Sequence, residues 1–509
     1  MLHQARYIYR SQTSKQQDRE KGNSISHRKI VMNKSFEPDM LNSSAYQRLR
    51  AESPNEFEPK TVFFYREGQD IAIDWQNSFC LKAAVVYHAI TRIHVNPQAT
   101  PKASWLLLQI AKNCRDLAAA AASTAPAATA SASTSTSPAK PDEINEEFIR
   151  NLPAEEKEFV DGVYLVVGFL PTLKSAVGGK WDREKTSEFY LSMRNHEIVT
   201  DIIKIGNQIP LNCIVSVGKH VEEAIKKAKD AFQKLPNADK QKLSDTDKQN
   251  DKQKLLSAID EYKLSFPKDK FHEVLYLFCW YYSPFYYKAA PDAQENVDLL
   301  SKVAAEKSNL LECVHEYVMH AWGKQISGDA EGSGYVYSTP TAKRLRRAGV
   351  RFTAVDAERS AAFQFTEPAL KLPTLMFDFR AETVVKNLLA LELLRGDYHK
   401  PLTRYFQFMN ELVEDIGDIK VLRRAGVIRG GSKAGLEVLE MVKKIDRFAT
   451  YPSTFAAIDN EIDKARQFHK KQMERFVVRH QPAVLWVSSV AAASVIATAV
   501  FASRRRARA

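Results

Sequence analysis

Apolar positions along most of the chain recur three and four residues apart, which is the spacing of amphipathic helices. Such stripes run from Trp75 to Ile110, from Phe271 to Phe278, from Val384 to Leu393 and from Tyr405 to Ile416. The first range predicts two helices of a bundle, and the last two ranges predict a pair of helices that pack together. The pattern therefore predicts a mainly α fold.

Between Phe363 and Phe379 the spacing changes to alternation, and Glu367-Pro368-Ala369 interrupts it. Alternating apolar residues around a proline break predict a short β-hairpin. Because Pro373 has no N–H to donate to a sheet, the second strand is predicted at a sheet edge. The predicted fold is a large helical domain with a small β-hairpin, followed by one C-terminal transmembrane helix.

The phrase Leu-Arg-Arg-Ala-Gly-Val occurs twice, at Leu345–Val350 and at Leu422–Val427. Arginines in a last helical turn suit the negative end of the helix dipole, and a following glycine can adopt a positive φ. Both copies predict helix ends, with Gly349 and Gly426 just past the last turn. The two copies are either an internal repeat or two independent uses of a common basic helix end.

The segment 482–502 carries no charged residue. At about 1.5 Å per residue it is long enough to cross the roughly 30 Å apolar core of a bilayer. We expect a transmembrane helix here, with a buried terminal helix as the alternative. The predicted membrane anchor residues are Val484, Leu485, Trp486, Val487, Val490, Val495, Ile496, Val500 and Phe501.

Cations flank this segment on both sides, so the positive-inside rule gives no clear orientation. The segment leaves the ribosome only after synthesis ends, which favours a single-pass, tail-anchored protein with a cytosolic body. The identity of the membrane is not indicated. Ser489, Ala493 and Ala497 form a small-residue ridge that permits a homodimer within the lipid bilayer.

Composition divides the remaining chain. Residues 1–56 are polar and basic and predict a disordered N-terminal arm. The helical domain is predicted over residues 57–480, with flexible insertions near 118–141 and 226–256, and residues 503–509 form a basic tail. Part of the net charge of +12 lies in that tail, and no nucleic-acid-binding motif accompanies the rest, so we expect no nucleic-acid partner.

Known catalytic and metal-binding patterns are missing from the sequence. The five cysteines lie far apart without a CxxC pair, and His315 and His320 are five residues apart, which does not place them on one helix face. We therefore expect no catalytic, cofactor or metal residues and no enzyme activity. A membrane-surface hydrolase or transferase built from scattered residues is the alternative.

Several short phrases follow one another in a particular order and spacing. They contain the motif positions Asp161, Gly162, Asn207, Gln208, Pro210, Gly349, Asn387, Glu392 and Gly426. In this order and spacing they resemble the plant family called domain of unknown function 247. The chain departs from the family at Gly206, where relatives have glutamate, and at Phe63-Phe64-Tyr65, where they have a Gly-Pro-Tyr-His phrase. We expect Asn207 and Gln208 to be partly buried and to pair with backbone groups, which is a structural role.

The resemblance implies a plant protein with a C-terminal membrane span and no established catalytic activity. Some grass members of that family are implicated in pollen-side self-incompatibility. On this basis we expect a membrane-anchored interaction or recognition protein, active in signalling or pollen recognition, with an unknown protein partner.

Overall fold

The computed structural model describes twelve segments and three tail residues, and these residues are mainly helical. The described residues are 38–66, 72–91, 101–123, 143–176, 196–234, 271–286, 309–322, 339–355, 363–395, 400–432, 435–446, 458–475, 494, 495 and 498.

Seventeen helices can be followed through these segments. They are α1 (Ser44–Glu52), α2 (Pro54–Phe57), α3 (Ala72–Thr91), α4 (Pro101–Ser123), α5 (Glu146–Arg150), α6 (Ala154–Val163), α7 (Leu170–Ala176), α8 (His196–Asp201), α9 (Leu211–Lys234), α10 (Phe271–Tyr282), α11 (Leu310–Trp322), α12 (Ala342–Arg347), α13 (Ala381–Arg395), α14 (Pro401–Leu412), α15 (Ile416–Arg424), α16 (Leu436–Asp446) and α17 (458–475). A π-helical stretch, Tyr164–Phe169, joins α6 to α7, and short 3-10 turns lie at Pro38–Asn42 and Ile205–Asn207.

The helices expected from the apolar stripes are present. The stripe from Trp75 to Ile110 forms α3 and α4, and the stripes that begin at Val384 and Tyr405 form α13 and α14, which pack against each other. Helix α9 lies along α4, and α3 packs on the π-helical stretch. Buried apolar side chains from all these elements belong to one hydrophobic core.

Five short strands form two small sheets. They are β1 (Arg351–Val355), β2 (Gln364–Thr366), β3 (Ala369–Pro373), β4 (Leu375–Phe377) and β5 (Ile428–Gly430). Strands β2 and β3 form the predicted antiparallel hairpin, and β4 pairs with β5 in parallel.

The prediction that Pro373 marks an edge strand is wrong, because β3 lies between β1 and β2. Pro373 is the last residue of β3 and stands opposite Val355 of β1. The next residue, Thr374, donates its N–H to the Val355 carbonyl at 3.2 Å. The missing proline N–H therefore interrupts no bond of the sheet.

Both copies of the repeated phrase end a helix in the same way. Gly349 has a φ of 93° and Gly426 a φ of 74°. In each copy the valine N–H donates to the carbonyl of the leucine that opens the phrase, at 3.0 Å. This is a Schellman ending, so the two predicted helix stops are confirmed.

The N-terminal boundary of the ordered domain lies earlier than predicted. Residues 1–37 are outside the described residues, but residues 38–56, expected to belong to a disordered arm, are folded. Leu41, Tyr46 and Leu49 are buried in the core, and the Ser43 hydroxyl caps α1 by accepting from the Tyr46 N–H at 3.2 Å. Three apolar contacts and a helix cap outweigh the polar composition that suggested disorder.

Two helices also extend into the predicted insertions. Helix α4 continues to Ser123, past residue 118, and α9 continues to Lys234, past residue 226. The rest of both insertions lies outside the described residues.

Apart from Val495, the predicted membrane anchor residues lie outside the described residues, as does the tail 503–509. Val495 belongs to a helical stretch and is 68% exposed. Within the described ranges, no helix is both long enough and apolar enough to cross a lipid bilayer.

Candidate functional site

An extended segment between α2 and α3, residues 58–66, is held by its backbone; we call it the N-terminal segment. The Asp201 Oδ2 accepts the N–H groups of Lys60 at 3.0 Å, Thr61 at 2.7 Å and Val62 at 3.0 Å. Successive backbone N–H groups that converge on one carboxylate oxygen form an anion nest. Asp201 is fully buried, so this contact fixes the segment to the body of the protein.

A lysine one helical turn after Asp201 completes the arrangement. The Lys204 ammonium lies 2.8 Å from the Asp201 Oδ1 and donates to the Glu58 carbonyl at 2.8 Å. Lys204 is only 2% exposed. The aspartate thus has a counter-charge, and both charged groups bond to the same segment.

Asn207 forms hydrogen bonds with the middle of the N-terminal segment. Its Oδ1 accepts the Phe64 N–H at 2.8 Å, and its Nδ2 donates to the carbonyls of Val62 at 2.7 Å and Asp201 at 2.9 Å. All three bonds use backbone groups, and Asn207 is 1% exposed. The amide therefore satisfies its buried polar atoms while it positions the segment.

Asp161 holds the end of the same segment. Its Oδ2 accepts the Tyr65 N–H at 2.6 Å, its carboxylate accepts the Trp75 indole N–H at 3.1 Å, and its Oδ1 lies 2.6 Å from the Lys82 ammonium. Lys82 also donates to the Phe63 carbonyl. Asp161 and Lys82 are both fully buried.

Burial shifts the pKa of both members of this ion pair. It lowers the pKa of Lys82 and raises the pKa of Asp161, and the attraction between the two groups opposes both shifts. The Lys82 ammonium also lies 5.5 Å from the centroid of the Phe64 ring and 5.3 Å from that of Trp75, within the range of cation–π attraction.

Gln208 and Pro210 organise neighbouring helices. The Gln208 Nε2 donates to the Ile202 and Lys204 carbonyls, and its Oε1 accepts the Leu311 N–H at 3.0 Å, at the start of α11. Pro210 is exposed and directly precedes α9. As expected from the sequence, Asn207 and Gln208 are buried and bond to backbone groups.

Asn387 of α13 links the N-terminal helices to the C-terminal half. Its Oδ1 accepts the Ile205 N–H at 2.7 Å, and its Nδ2 donates to the carbonyls of Glu56 at 2.8 Å and Thr383 at 2.7 Å. Asn387 is fully buried. Further along the same helix, Glu392 belongs to a second buried cluster.

Glu392 is the centre of that second cluster. Its carboxylate accepts the N–H groups of Leu402 at 3.1 Å and Thr403 at 2.9 Å, together with the Thr403 hydroxyl at 2.7 Å. It thereby caps the first turn of α14 from a different helix. The His315 Nε2 lies 3.2 Å from the same carboxylate.

His315 is surrounded by charged groups. Burial works to lower its pKa, but hydrogen bonds to Glu316 and Glu392 raise it more, so the net pKa is above the usual value. Arg395 lies on the other side of the ring and forms an ion pair with Glu312 at 2.9 Å. Helices α11, α13 and α14 are thus joined by one buried ionic cluster.

Glycines at positions 162 and 206 allow close contacts between elements. A Cβ on Gly162 would lie 2.9 Å from a methyl group of Val217 in α9. A Cβ on Gly206 would lie 2.3 Å from the Phe57 carbonyl and 2.6 Å from the Tyr46 hydroxyl. The N-terminal helices therefore occupy the space that a larger residue at position 206 would need.

Comparison with known proteins places the chain in a family. The sequence pattern of domain of unknown function 247, described as a plant protein of unknown function, matches residues 141–500, more than half of the 509 residues. The chain belongs to this family. A UPF0481 protein of Arabidopsis thaliana is 32% identical over 104 residues, which are 20% of this chain and 20% of that protein. The match thus spans about a fifth of that relative, and no solved structure matches the chain.

The match to domain of unknown function 247 begins after the N-terminal segment. Asp161, Asp201 and Asn207 lie inside the matched range, whereas their partners at residues 58–66 precede it. These contacts use backbone N–H and carbonyl groups and so place no requirement on the side chains of the residues they hold, although Val62 and Phe64 are also buried in the core.

The buried acidic residues of this family member bond to backbone groups and counter-charges of the same chain. Asp161, Asp201 and Glu392 each accept at least two N–H groups of the chain itself. Burial raises the pKa of the Cys114 and Cys213 thiols, which keeps them protonated and poorly nucleophilic. In the described part of the chain, no three His, Cys, Asp or Glu residues are grouped so that they could hold a metal ion.

Sequence reasoning did not single out Lys82, Lys204, His315 or Arg395 as members of these clusters. A usable signal existed for Lys82, since it lies in an apolar stretch of α3 with Phe79 and Val86 and could not face solvent there. The others gave no local signal, because their partners are remote in sequence.

Proposed function

We propose that the protein is a non-catalytic plant recognition protein that presents a rigid helical body at a membrane and binds another protein there. The observation that carries the proposal is the use of the buried motif side chains. Asp161, Asn207, Asn387 and Glu392 are committed to backbone groups and counter-charges of the same chain. These four buried side chains thus stabilise the shape of the body, as expected in a protein that acts by presenting a surface.

The membrane part of the proposal is supported by the sequence of the charge-free segment 482–502. A body in the cytosol, tethered only by its C-terminal end, would expose its surface to cytosolic proteins. A role in signalling or pollen recognition is part of this proposal and rests on the resemblance described from the sequence.

Membrane attachment is tested by carbonate extraction and protease protection on plant-cell membranes that contain the full chain with an N-terminal tag. We expect the protein to stay in the membrane pellet and protease on the cytosolic side to destroy the body. The variant Val490→Asp/Ile496→Asp should be released by carbonate, because each charge near the centre of a span opposes insertion. The matched variant Val490→Leu/Ile496→Leu should stay in the pellet. Release of the unmodified chain, or protection of its body, would contradict the proposed topology.

The non-catalytic part is tested by reaction of the purified full chain with fluorophosphonate and other mechanism-based hydrolase probes. We expect no covalent labelling above that of the heat-unfolded protein. Stoichiometric labelling of one side chain in the folded protein would overturn the proposal in favour of a membrane-surface hydrolase.

Pairing of the membrane helix between two copies of the chain is tested by crosslinking. The substitution Ala493→Leu should reduce the amount of crosslinked dimer, whereas Val490→Leu should leave it unchanged.

A further inference from the structure

Six cations lie on one region of the surface, which we call the basic face. They come from the last turn of α12, the start of β1 and helix α15: Arg344, Arg346, Arg347, Arg351, Lys420 and Arg424. Each is exposed. The ion pair found here among the described residues joins Lys343 to Asp415 and involves none of the six, so the region carries a concentration of positive charge.

The fold brings the two contributing helices together. At their first turns, the Lys343 N–H donates to the Asp418 Oδ1 at 2.8 Å, and Lys343 also pairs with Asp415. After their ends, the Ala354 N–H of β1 donates to the Ala425 carbonyl at 3.3 Å. The basic ends of α12 and α15 consequently lie on neighbouring parts of the surface.

Helix α17 reaches the basic face on the way to the C-terminal tail. Its Phe468 packs on Phe365 of β2, with 5.8 Å between ring centroids. Partial burial, together with the positive charge of the nearby Arg344, lowers the pKa of the next residue, His469. Lys470 and Lys471 follow and are exposed. The chain therefore leaves the body beside the basic face, shortly before the charge-free segment 482–502.

We propose that the basic face binds the phosphate groups of anionic lipids and lays the body against the membrane surface. The cations stand on separate elements rather than in one groove, which suits a flat array of headgroups. Arginine is well adapted to phosphate because its planar guanidinium can donate two parallel hydrogen bonds. Anionic lipid attracts each nearby cation, and neighbouring cations add to one another's effect. The choice of a membrane over other polyanions rests on the proposed function, since the adjacent tail would hold the face at a bilayer.

The test is flotation of the purified full chain with phosphatidylcholine vesicles, with and without phosphatidylserine. The Val490→Asp/Ile496→Asp variant serves as the starting chain, so that insertion of the tail does not mask the weaker surface contact. We expect this chain to float with the anionic vesicles only, and to be released as salt rises. In this chain the further substitutions Arg344→Gln/Arg346→Gln/Arg347→Gln should weaken vesicle binding by roughly a hundred-fold. Each cation near an anionic surface contributes about 1 kcal/mol, which is a factor of about five, and three cations are removed.

Two matched variants keep the result interpretable. Arg344→Lys/Arg346→Lys/Arg347→Lys retains the charge and should retain most of the binding. Lys219→Gln/Lys226→Gln/Lys227→Gln removes the same charge from exposed positions of α9 and should leave binding unchanged. Equal losses in the α9 and α12 variants would show an effect of net charge alone and would overturn the basic face.

The remaining outcomes separate this inference from the proposed function. A chain with the altered tail that binds no vesicle would overturn the basic face, whatever the unmodified tail does in carbonate. Preferential binding of a DNA or RNA duplex, lost in the α12 variant, would assign the face to nucleic acid instead. Failure of the unmodified chain to stay in membranes, with flotation as expected, would overturn the anchor and leave the basic face standing.

Discussion

At Asp161 the largest energetic term is the cost of leaving the Lys82 ammonium buried without a counter-charge. Asp161→Asn keeps the shape of the side chain and one acceptor oxygen but removes the negative charge 2.6 Å from that ammonium. We expect the free energy of unfolding to fall by about 3–5 kcal/mol, the usual cost of breaking a buried ion pair. Urea-induced unfolding of the full chain measures it.

Two controls accompany this substitution. Asp116→Asn removes a carboxylate that is 50% exposed and 3.5 Å from Arg115, so it should change stability by less than about 0.5 kcal/mol. The double variant Asp161→Asn/Lys82→Met removes both buried charges and should be more stable than Asp161→Asn alone. Additive effects of the two substitutions would show that the pair is not coupled.

His315 makes stability depend on pH. Because its folded pKa is raised above the unfolded value near 6.5, its contribution is fully present below that value and is lost as pH rises through the folded pKa. The facing groups are Glu392 and Glu316, which favour the charged ring, and Arg395, which opposes it. We expect the difference in unfolding free energy between the unmodified chain and His315→Gln to be larger at mildly acidic than at mildly alkaline pH.

This dependence is measured by urea unfolding of both chains across that range. His220 of α9 is half-buried and is not among the groups that act on His315, so His220→Gln serves as the control substitution. A difference that grows as pH rises would mean that the ring is neutral in the folded protein, and that burial outweighs the two glutamates.

At the scale of elements, the helix end at Gly349 shows the effect of backbone conformation separately from that of side-chain packing. A Cβ on Gly349 meets no atom within 4 Å, so Gly349→Ala adds only the strain of a side chain at a φ of 93°. We expect a loss of about 1–2 kcal/mol. Gly349→Asn should cost less, because asparagine tolerates the left-handed region better. Equal stability of the alanine variant and the unmodified chain would argue against a Schellman ending at this position.

Elements defined by local pattern were predictable from the sequence, and elements defined by remote partners were not. The stripe of α13 and the stop at Gly349 can be read within a few residues. Strands β1 and β5 were missed, because each pairs with a strand that is remote in sequence. Strand β1 pairs in parallel with β3, and β2 lies between them in the chain. The three-residue β5 pairs with β4, and helices α13, α14 and α15 lie between them in the chain. Neither strand has a local alternation long enough to predict it.

At the scale of the whole molecule, the same limit explains the site. The motif positions Asp161, Asn207 and Asn387 could be named from family resemblance, but their partners could not. Asp201 bonds to residues 139 to 141 positions earlier in the chain, and it accepts backbone N–H groups that every residue except proline offers. A hydrogen bond to a backbone group does not depend on the side chain of that residue, so the bonded residues cannot be recognised from the sequence.

We therefore expect removal of the N-terminal segment to destabilise the body without unfolding it. A chain that lacks residues 1–66 leaves Asp161, Asp201 and Asn207 without the backbone groups they bond, and each buried unsatisfied group costs about 1–3 kcal/mol. We expect a loss on the order of 5 kcal/mol, seen as a lower thermal unfolding temperature. A chain that lacks only residues 1–37 keeps every contact described for the segment and should unfold near the temperature of the full chain.

A synthetic peptide of residues 54–66 added to the chain without residues 1–66 should raise its unfolding temperature, because a ligand that binds only the folded state stabilises it. A scrambled peptide of the same composition should not, since Phe57, Val62 and Phe64 would no longer enter the core positions they fill. Rescue by the scrambled peptide would show that any extended backbone suffices. No rescue by either peptide, in a truncated chain that is still folded, would show that Asp161, Asp201 and Asn207 do not depend on this segment.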